Sequence, residues 1–200
     1  MQTKQLIAEN ENITKLVKNE ICRLGIYANL NHINVSKVTD MSDLFYLSSF
    51  NGDISRWDVS NVTSMEYMFM NSLFNGDISQ WNVANVQSMN SMFFGSKFDR
   101  DLSEWNTSNV KNMRFMFCKS NFNGDISKLD VYNVIEMTQI FKHSKFCGDI
   151  SDWKFNPSIQ IPLELLPLIE KSYEIKTQKQ THLLMRNLNI KNKSGNHFSL

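Results

Sequence analysis

The sequence predicts an α/β repeat solenoid, a right-handed coil with short parallel strands on one face, short helices on the other and a helical cap at each end. The first observation behind this prediction is a 24-residue period, because the word FNGDIS starts at Phe50 and returns, intact or slightly altered, at Phe74, Phe98, Phe122 and Phe146. A fixed period of about 20 to 50 residues is typical of repeat architectures. The second observation is that each copy carries apolar residues at strand spacing and then at helix spacing.

Residues 1–25 are predicted to form the N-terminal helical cap. Ile13, Val17 and Ile21 recur at helical spacing, and Asn12 precedes them as a candidate N-cap residue. Repeat arrays need atypical terminal units that cover the open ends of their cores. A helix at this position would supply one of them.

Residues 26–156 are predicted to hold five copies of the repeat and a fraction. In the first half of a copy, Trp57 and Val59 have the alternation of a short strand and would share one face. We call a set of positions that recur every 24 residues a column. The tryptophan column has two alternatives, burial in the core or a platform on which bases or sugars stack, and its members are Trp57, Trp81, Trp105, Leu129 and Trp153.

The second half of a copy has the spacing of a short helix. Val62, Met65, Met68 and Phe69 stand at i, i+3, i+6 and i+7, an apolar stripe along one helix side. The methionines of this stripe could ligate copper or haem, but their spacing favours packing in the core.

The C-terminal part is predicted to contain a capping helix at 157–174, which Pro167 bends or delays. Residues 175–200 form a polar tail that is expected to be flexible, and its cations are Lys176, Lys179, Arg186, Lys191 and Lys193.

The block W-D-V-S-N-V-T-S-M-E-Y-M-F, from Trp57 to Phe69, resembles the BspA-type leucine-rich repeat of bacterial surface proteins and lipoproteins. The resemblance covers residues 33–155 and implies a leucine-rich-repeat solenoid that binds other macromolecules, with no known chemistry. The sequence departs from the general leucine-rich pattern because Asn61 follows Val59 by two residues instead of three. The asparagine column, Asn61, Asn85, Asn109 and Asn133, still suggests side chains that bond the backbone of neighbouring copies.

An aspartate column invites comparison with metal ladders, but turn capping is the favoured interpretation, since backbone N–H groups bind carboxylates well. Its members are Asp53, Asp77, Asp101, Asp125 and Asp149. No catalytic motif is present, neither a P-loop nor G-x-G-x-x-G nor H-E-x-x-H. We therefore expect no enzymatic activity, no cofactor and no small-molecule substrate.

The composition excludes little. The formal net charge is +1, so nothing global argues for a nucleic-acid or membrane partner. No secretory signal, lipoprotein cleavage site or apolar span is visible, and the three cysteines make no even disulfide framework. An intracellular location is the resulting expectation, and the protein is expected to be a monomer.

The predicted binding residues lie between the buried columns of the strand, where the side chains differ from copy to copy. This variation predicts a protein-protein interaction module that binds a partner of unknown identity through its strand face. The alternatives are a surface adhesin-like paralogue, or weak binding of nucleic acid or another anionic surface by the basic tail. The candidate residues are Arg56, Asp58, Ser60, Gln80, Asn82, Glu104, Asn106, Lys128, Asp130, Tyr132 and Asp152.

Overall fold

A computed structural model describes residues 6–174 and 177–178 of the chain. The predictions for residues 1–5 and for most of the basic tail lie outside these residues. The regular elements are strand β1 (Leu6–Ile7), helix α1 (Ile13–Leu24), strand β2 (Ile33–Asn34) and a 3₁₀ helix (Leu163–Leu165), which runs into helical residues 166–174. β1 and β2 pair in parallel, with Leu6 opposite Ile33.

Helix α1 lies against the first segment of the core. Ile13 and Val17 are buried, and Gly25 ends the helix with a φ of 92°, a conformation that favours glycine. Asn12 stands at the N-cap position, but its side chain bonds no helix N–H. Its Oδ1 accepts the backbone N–H of Glu9 instead, at 2.9 Å, so the predicted asparagine cap is wrong in its bonding.

The predicted strand-and-helix solenoid is also wrong. Within the described residues the only strands are β1 and β2, which form a two-stranded sheet, and between Asn34 and Leu163 there is neither strand nor helix. The stretches predicted as strands contain short turns, and those predicted as helices are longer turns at 42–47, 66–71, 90–95, 114–119 and 138–143.

Backbone geometry explains why the methionine stripe is not helical. The N–H groups of Met65, Tyr67 and Phe69 donate to carbonyls 23 residues later, not to carbonyls four residues earlier. Tyr67 has a φ of 57° and Asn71 one of 53°, which a right-handed helix does not allow. The same left-handed conformation recurs in two columns, whose non-glycine members are Asp43, Leu47, Tyr67, Asn71, Ser91, Phe115, Lys119, Gln139 and His143.

Residues 24 positions apart are joined by isolated parallel bridges and by stacked rings. The bridges connect Asp40 with Ser64, Ser64 with Ser88, Ser88 with Asn112, and Asn112 with Glu136. One column of buried rings stacks with centroids 5.3–5.7 Å apart, and its members are Phe45, Phe69, Phe93, Phe117 and Phe141. A second column, with spacings of 6.0–6.3 Å, holds Phe50, Phe74, Phe98, Phe122 and Phe146. Each buried ring contributes roughly 1.5–3 kcal/mol of transfer free energy, so the ten rings together contribute roughly 15–30 kcal/mol.

Candidate functional site

The aspartate column caps the first turn of each copy. The Oδ1 atom of Asp53 accepts the backbone N–H of Ser55 at 2.9 Å, and the other members accept equivalent bonds at 2.7–3.0 Å. The bond from Ser55 holds the pKa of Asp53 below its usual range, and the bond from Ser79 does the same to the pKa of Asp77. Turn capping is therefore confirmed. The described residues contain no group of three or more His, Cys, Asp or Glu arranged to hold a metal ion.

A second turn follows in each copy, and it requires a side-chain oxygen that accepts the N–H two residues later. This requirement was not predicted from the sequence. Asp58 accepts the N–H of Ser60 at 3.1 Å, and Asp130 accepts the N–H of Tyr132 at 2.9 Å. Asn82 and Asn106 make the same contact with the N–H two residues later, at 3.2 and 3.1 Å. These four candidates are thus turn-forming residues. The signal was present in the sequence, because the column alternates only between Asp and Asn in these copies.

The first predicted binding column occupies the outer position of the first turn. Its members are chemically diverse and all exposed, and they are Arg56, Gln80, Glu104, Lys128 and Asp152. Lys128 Nζ lies 2.6 Å from Glu104 Oε1, and this hydrogen bond raises the pKa of Lys128. Both side chains are more than 60% exposed, so the pair adds little stability and leaves both groups accessible.

A third column of candidates lies two residues after Asp58 and Asp130, and its members Ser60 and Tyr132 differ in their roles. The Ser60 hydroxyl donates to Asp58 Oδ1 at 2.6 Å and is half-buried, whereas the Tyr132 ring is 51% exposed. Ser60 therefore belongs to the turn, and Tyr132 is the one aromatic side chain that these columns present to solvent.

Asparagine side chains join successive copies at the edge of this surface. Asn61 Nδ2 donates to the carbonyl of Ser36 at 2.8 Å, and Asn85 Nδ2 donates to that of Ser60 at 2.7 Å. Asn109 and Asn133 repeat the contact, also 25 residues back and at 2.7 Å. The prediction that this column bonds the backbone of neighbouring copies is confirmed.

The tryptophan and methionine columns lie in the core. The four tryptophans are 2–6% exposed, and each indole Nε1 donates to a carbonyl 27 residues earlier at 2.9–3.2 Å. Burial is confirmed, and the stacking-platform alternative is wrong. Met65, Met68, Met89 and Met92 are fully buried among apolar side chains, which confirms core packing.

We call the region that holds all eleven candidate residues the acidic turn surface, and it comprises residues 51–60, 75–84, 99–108, 123–132 and 147–156. It contains ten carboxylates and four cations, a formal net charge of −6. The near-zero charge of the whole chain conceals this concentration.

Comparison with family models gives matches at residues 12–119 and 74–162 to a family described as Mycoplasma protein of unknown function, DUF285. The chain belongs to the DUF285 family. The two DUF285 matches together span the whole acidic turn surface. Comparisons with curated proteins and with solved structures give no match. Neither DUF285 match concerns the BspA-type leucine-rich repeat, so that resemblance stays a prediction.

None of the helices in the described part of this DUF285 chain is long and apolar enough to cross a bilayer.

Proposed function

We propose that this protein is a non-enzymatic binding module and that a protein partner docks on the acidic turn surface. The observation that carries the proposal is the formal charge of −6 on exposed turns whose backbone is fixed. Such a surface favours a partner rich in lysine and arginine, since complementary charge speeds association and selects among partners.

The turns are preorganised for binding. Asp53 and Asp58 fix successive turns of one copy, and Asn61 ties that copy to the one before it. A surface that is already ordered loses little conformational entropy when it binds. The side chains of the column that begins with Asp58 are needed to form the second turn, whereas the residue type in the column that begins with Arg56 differs in every copy. Residues of this variable column, such as Gln80 and Glu104, would therefore set specificity.

Affinity capture with the immobilised full chain tests this proposal. The test variant is Gln80→Lys/Glu104→Lys, which adds three positive charges at exposed turn positions. We expect it to lose the proteins that the wild type captures at low salt, with a melting temperature changed by less than about 2 °C.

The matched control is Gln87→Lys/Glu170→Lys, which makes the same charge change at exposed positions outside the acidic turn surface. We expect this control to capture the same proteins as the wild type. Unchanged capture by the test variant, or an equal loss in both variants, would refute docking on this surface.

A further inference from the structure

A second set of turns carries the opposite charge. Residues 90–98, 114–122 and 138–146 are equivalent segments of three successive copies and contain no carboxylate. Their cations are all exposed, and they are Lys97, Arg114, Lys119, Lys142 and Lys145. We call these three segments the basic turn surface, and its formal net charge is +5 with histidine neutral.

Backbone hydrogen bonds make this surface continuous. Gly95 N donates to the carbonyl of Cys118 at 2.8 Å, and Lys119 N donates to that of Lys142 at 2.8 Å. Beneath the turns, the rings of Phe93, Phe117 and Phe141 stack with centroids 5.6–5.7 Å apart. The cations therefore follow one another along the surface at short, regular steps.

Two half-buried aromatic rings lie among these cations. The rings of Phe94 and Phe115 meet edge to face with centroids 6.5 Å apart. The guanidinium carbon of Arg114 lies 4.7 Å from the Phe115 centroid, and Lys119 Nζ lies 5.5 Å from the Phe94 centroid. An aromatic ring and the plane of a guanidinium group are both surfaces on which an unpaired base can stack.

The cations of this surface have no ion pair with another described residue. Three carboxylates stand near it, Glu66, Glu136 and Glu164, and Glu66 Oε1 accepts the hydroxyl of Ser88 at 2.5 Å. The hydroxyl and N–H of Thr138, and to a lesser degree Arg114, hold the pKa of Glu136 below its usual range. Glu164 lies beside Lys142 in the wall of a cleft that Leu163 also lines. All three carboxylates lie outside the three segments, whose own charged side chains are all cations.

We propose that the basic turn surface binds single-stranded nucleic acid, with phosphates against the lysines and Arg114 and with bases against Phe94 and Phe115. Proteins that bind single strands combine a positive track with aromatic side chains. A duplex keeps its bases stacked on each other and leaves the rings without a role. An acidic peptide would use the charges but would gain little from the ring pair.

Fluorescence anisotropy with the full chain and a labelled oligothymidylate of about 20 nucleotides tests this proposal. We expect saturable binding at about 50 mM salt that weakens roughly 100-fold at about 200 mM, from a slope near −0.7 for each of about five phosphate contacts. Arg114→Glu/Lys119→Glu should weaken binding at least tenfold. Phe115→Leu, which keeps an apolar group but removes the ring, should weaken it about fivefold or more.

Two double variants serve as controls. Lys15→Glu/Lys18→Glu makes the same charge change on exposed positions of α1, and Lys191→Glu/Lys193→Glu makes it in the basic tail. Both should bind within about twofold of the wild type. Thermal unfolding confirms that each variant is folded.

Three results would overturn the proposal. The first is no binding of the oligonucleotide at low salt. The second is an equal loss of affinity in the Arg114/Lys119 variant and in either control, which would assign binding to overall charge or to the tail. The third is equal or tighter binding of a polyglutamate peptide or of vesicles containing anionic lipid, which would replace nucleic acid as the ligand.

Discussion

The indole Nε1 of Trp81 donates a hydrogen bond of 3.2 Å to the backbone carbonyl of Ile54, which lies 27 residues earlier in the chain. Trp57, Trp105 and Trp153 make the same bond with Leu30, Ile78 and Ile126. Each of these four carbonyls also accepts the backbone N–H of the residue three positions later, so the indole is its second donor. Because these stretches form no strands, the indole supplies the bond between copies that a sheet neighbour would otherwise supply.

This relationship predicts a specific cost for Trp81→Phe. The substitution keeps an aromatic ring but removes one of the two donors to the Ile54 carbonyl, which still accepts the N–H of Trp57 at 3.2 Å, so the lost bond should cost about 0.5–1.5 kcal/mol in addition to the lost packing. Urea unfolding gives the free energy of unfolding directly. Phe74→Leu is the control, since it trims a buried ring that bears no polar atom. A smaller loss for Trp81→Phe than for Phe74→Leu would contradict the role of the indole bond.

We expect substitution by aspartate to have different effects on stability at Asn82 and at Asn85. Asn82 Oδ1 accepts the N–H of Ala84, and a carboxylate can do the same, so Asn82→Asp should change the free energy of unfolding by less than about 0.5 kcal/mol. Asn85 Nδ2 donates to the carbonyl of Ser60, and a carboxylate cannot, so Asn85→Asp should cost about 1–2 kcal/mol.

Each of these asparagine variants is the control of the other, because both residues are exposed and both substitutions add one negative charge to nearly the same place. Chemical denaturation at neutral pH measures both. Equal losses would mean that added charge, not hydrogen-bond direction, decides the outcome.

The left-handed turn at Leu47 predicts a stabilising substitution. Leu47 has a φ of 54° and is 62% exposed, so it bears the strain of a left-handed residue and buries little surface. Such strain costs roughly 1–2 kcal/mol, which glycine avoids. After the larger unfolded-state entropy of glycine is subtracted, Leu47→Gly should raise stability by about 0.5–1 kcal/mol.

Leu73→Gly is the comparison for this prediction, since Leu73 is 49% exposed and its φ is not positive. There the added chain entropy should lower the melting temperature. A fall in melting temperature for Leu47→Gly as large as that for Leu73→Gly would show that the left-handed turn bears no strain.

The low pKa of Glu20 predicts that the free energy of unfolding falls in acid. Hydrogen bonds from Arg23, opposed by burial and assisted by His32, lower the pKa of Glu20 from 4.5 to about 2. Since the folded pKa is the lower one, the stabilisation is complete above pH 4.5 and is lost as the pH falls through about 2. Glu20→Gln should therefore cost about 1–3 kcal/mol near pH 6 and almost nothing at pH 2 or below. Urea unfolding of both proteins across this range would contradict the assignment if their difference did not depend on pH.

Side-chain chemistry was predictable from the sequence, whereas backbone conformation was not. Asp53 caps a turn and Trp57 is buried in whichever secondary structure surrounds them, so their repetition every 24 residues was sufficient evidence. The spacing of Met65 and Met68 is compatible with a helix, and it is equally compatible with a turn that contains left-handed residues. No glycine marks the left-handed position at Tyr67, so this conformation could not be predicted from the residue type.

The charged surfaces were hidden for a different reason. Net charge adds the acidic and basic turn surfaces together, and they nearly cancel. The contacts of Arg114 and Lys119 with half-buried rings depend on the conformation of the turns, so they could not be predicted from the sequence. The exposed residues of the first binding column were predictable as a set, but the turn role of Asp58 and Asn82 was not recognised.

Hydrogen–deuterium exchange of the full chain, alone and with a partner recovered by capture, tests the proposed docking surface most directly. The proposal predicts that the partner slows exchange in peptides from residues 75–84 and 99–108, and leaves exchange in 90–98 and 114–122 unchanged. Slower exchange confined to 90–98 and 114–122, or no slowing in any part of the acidic turn surface, would contradict it.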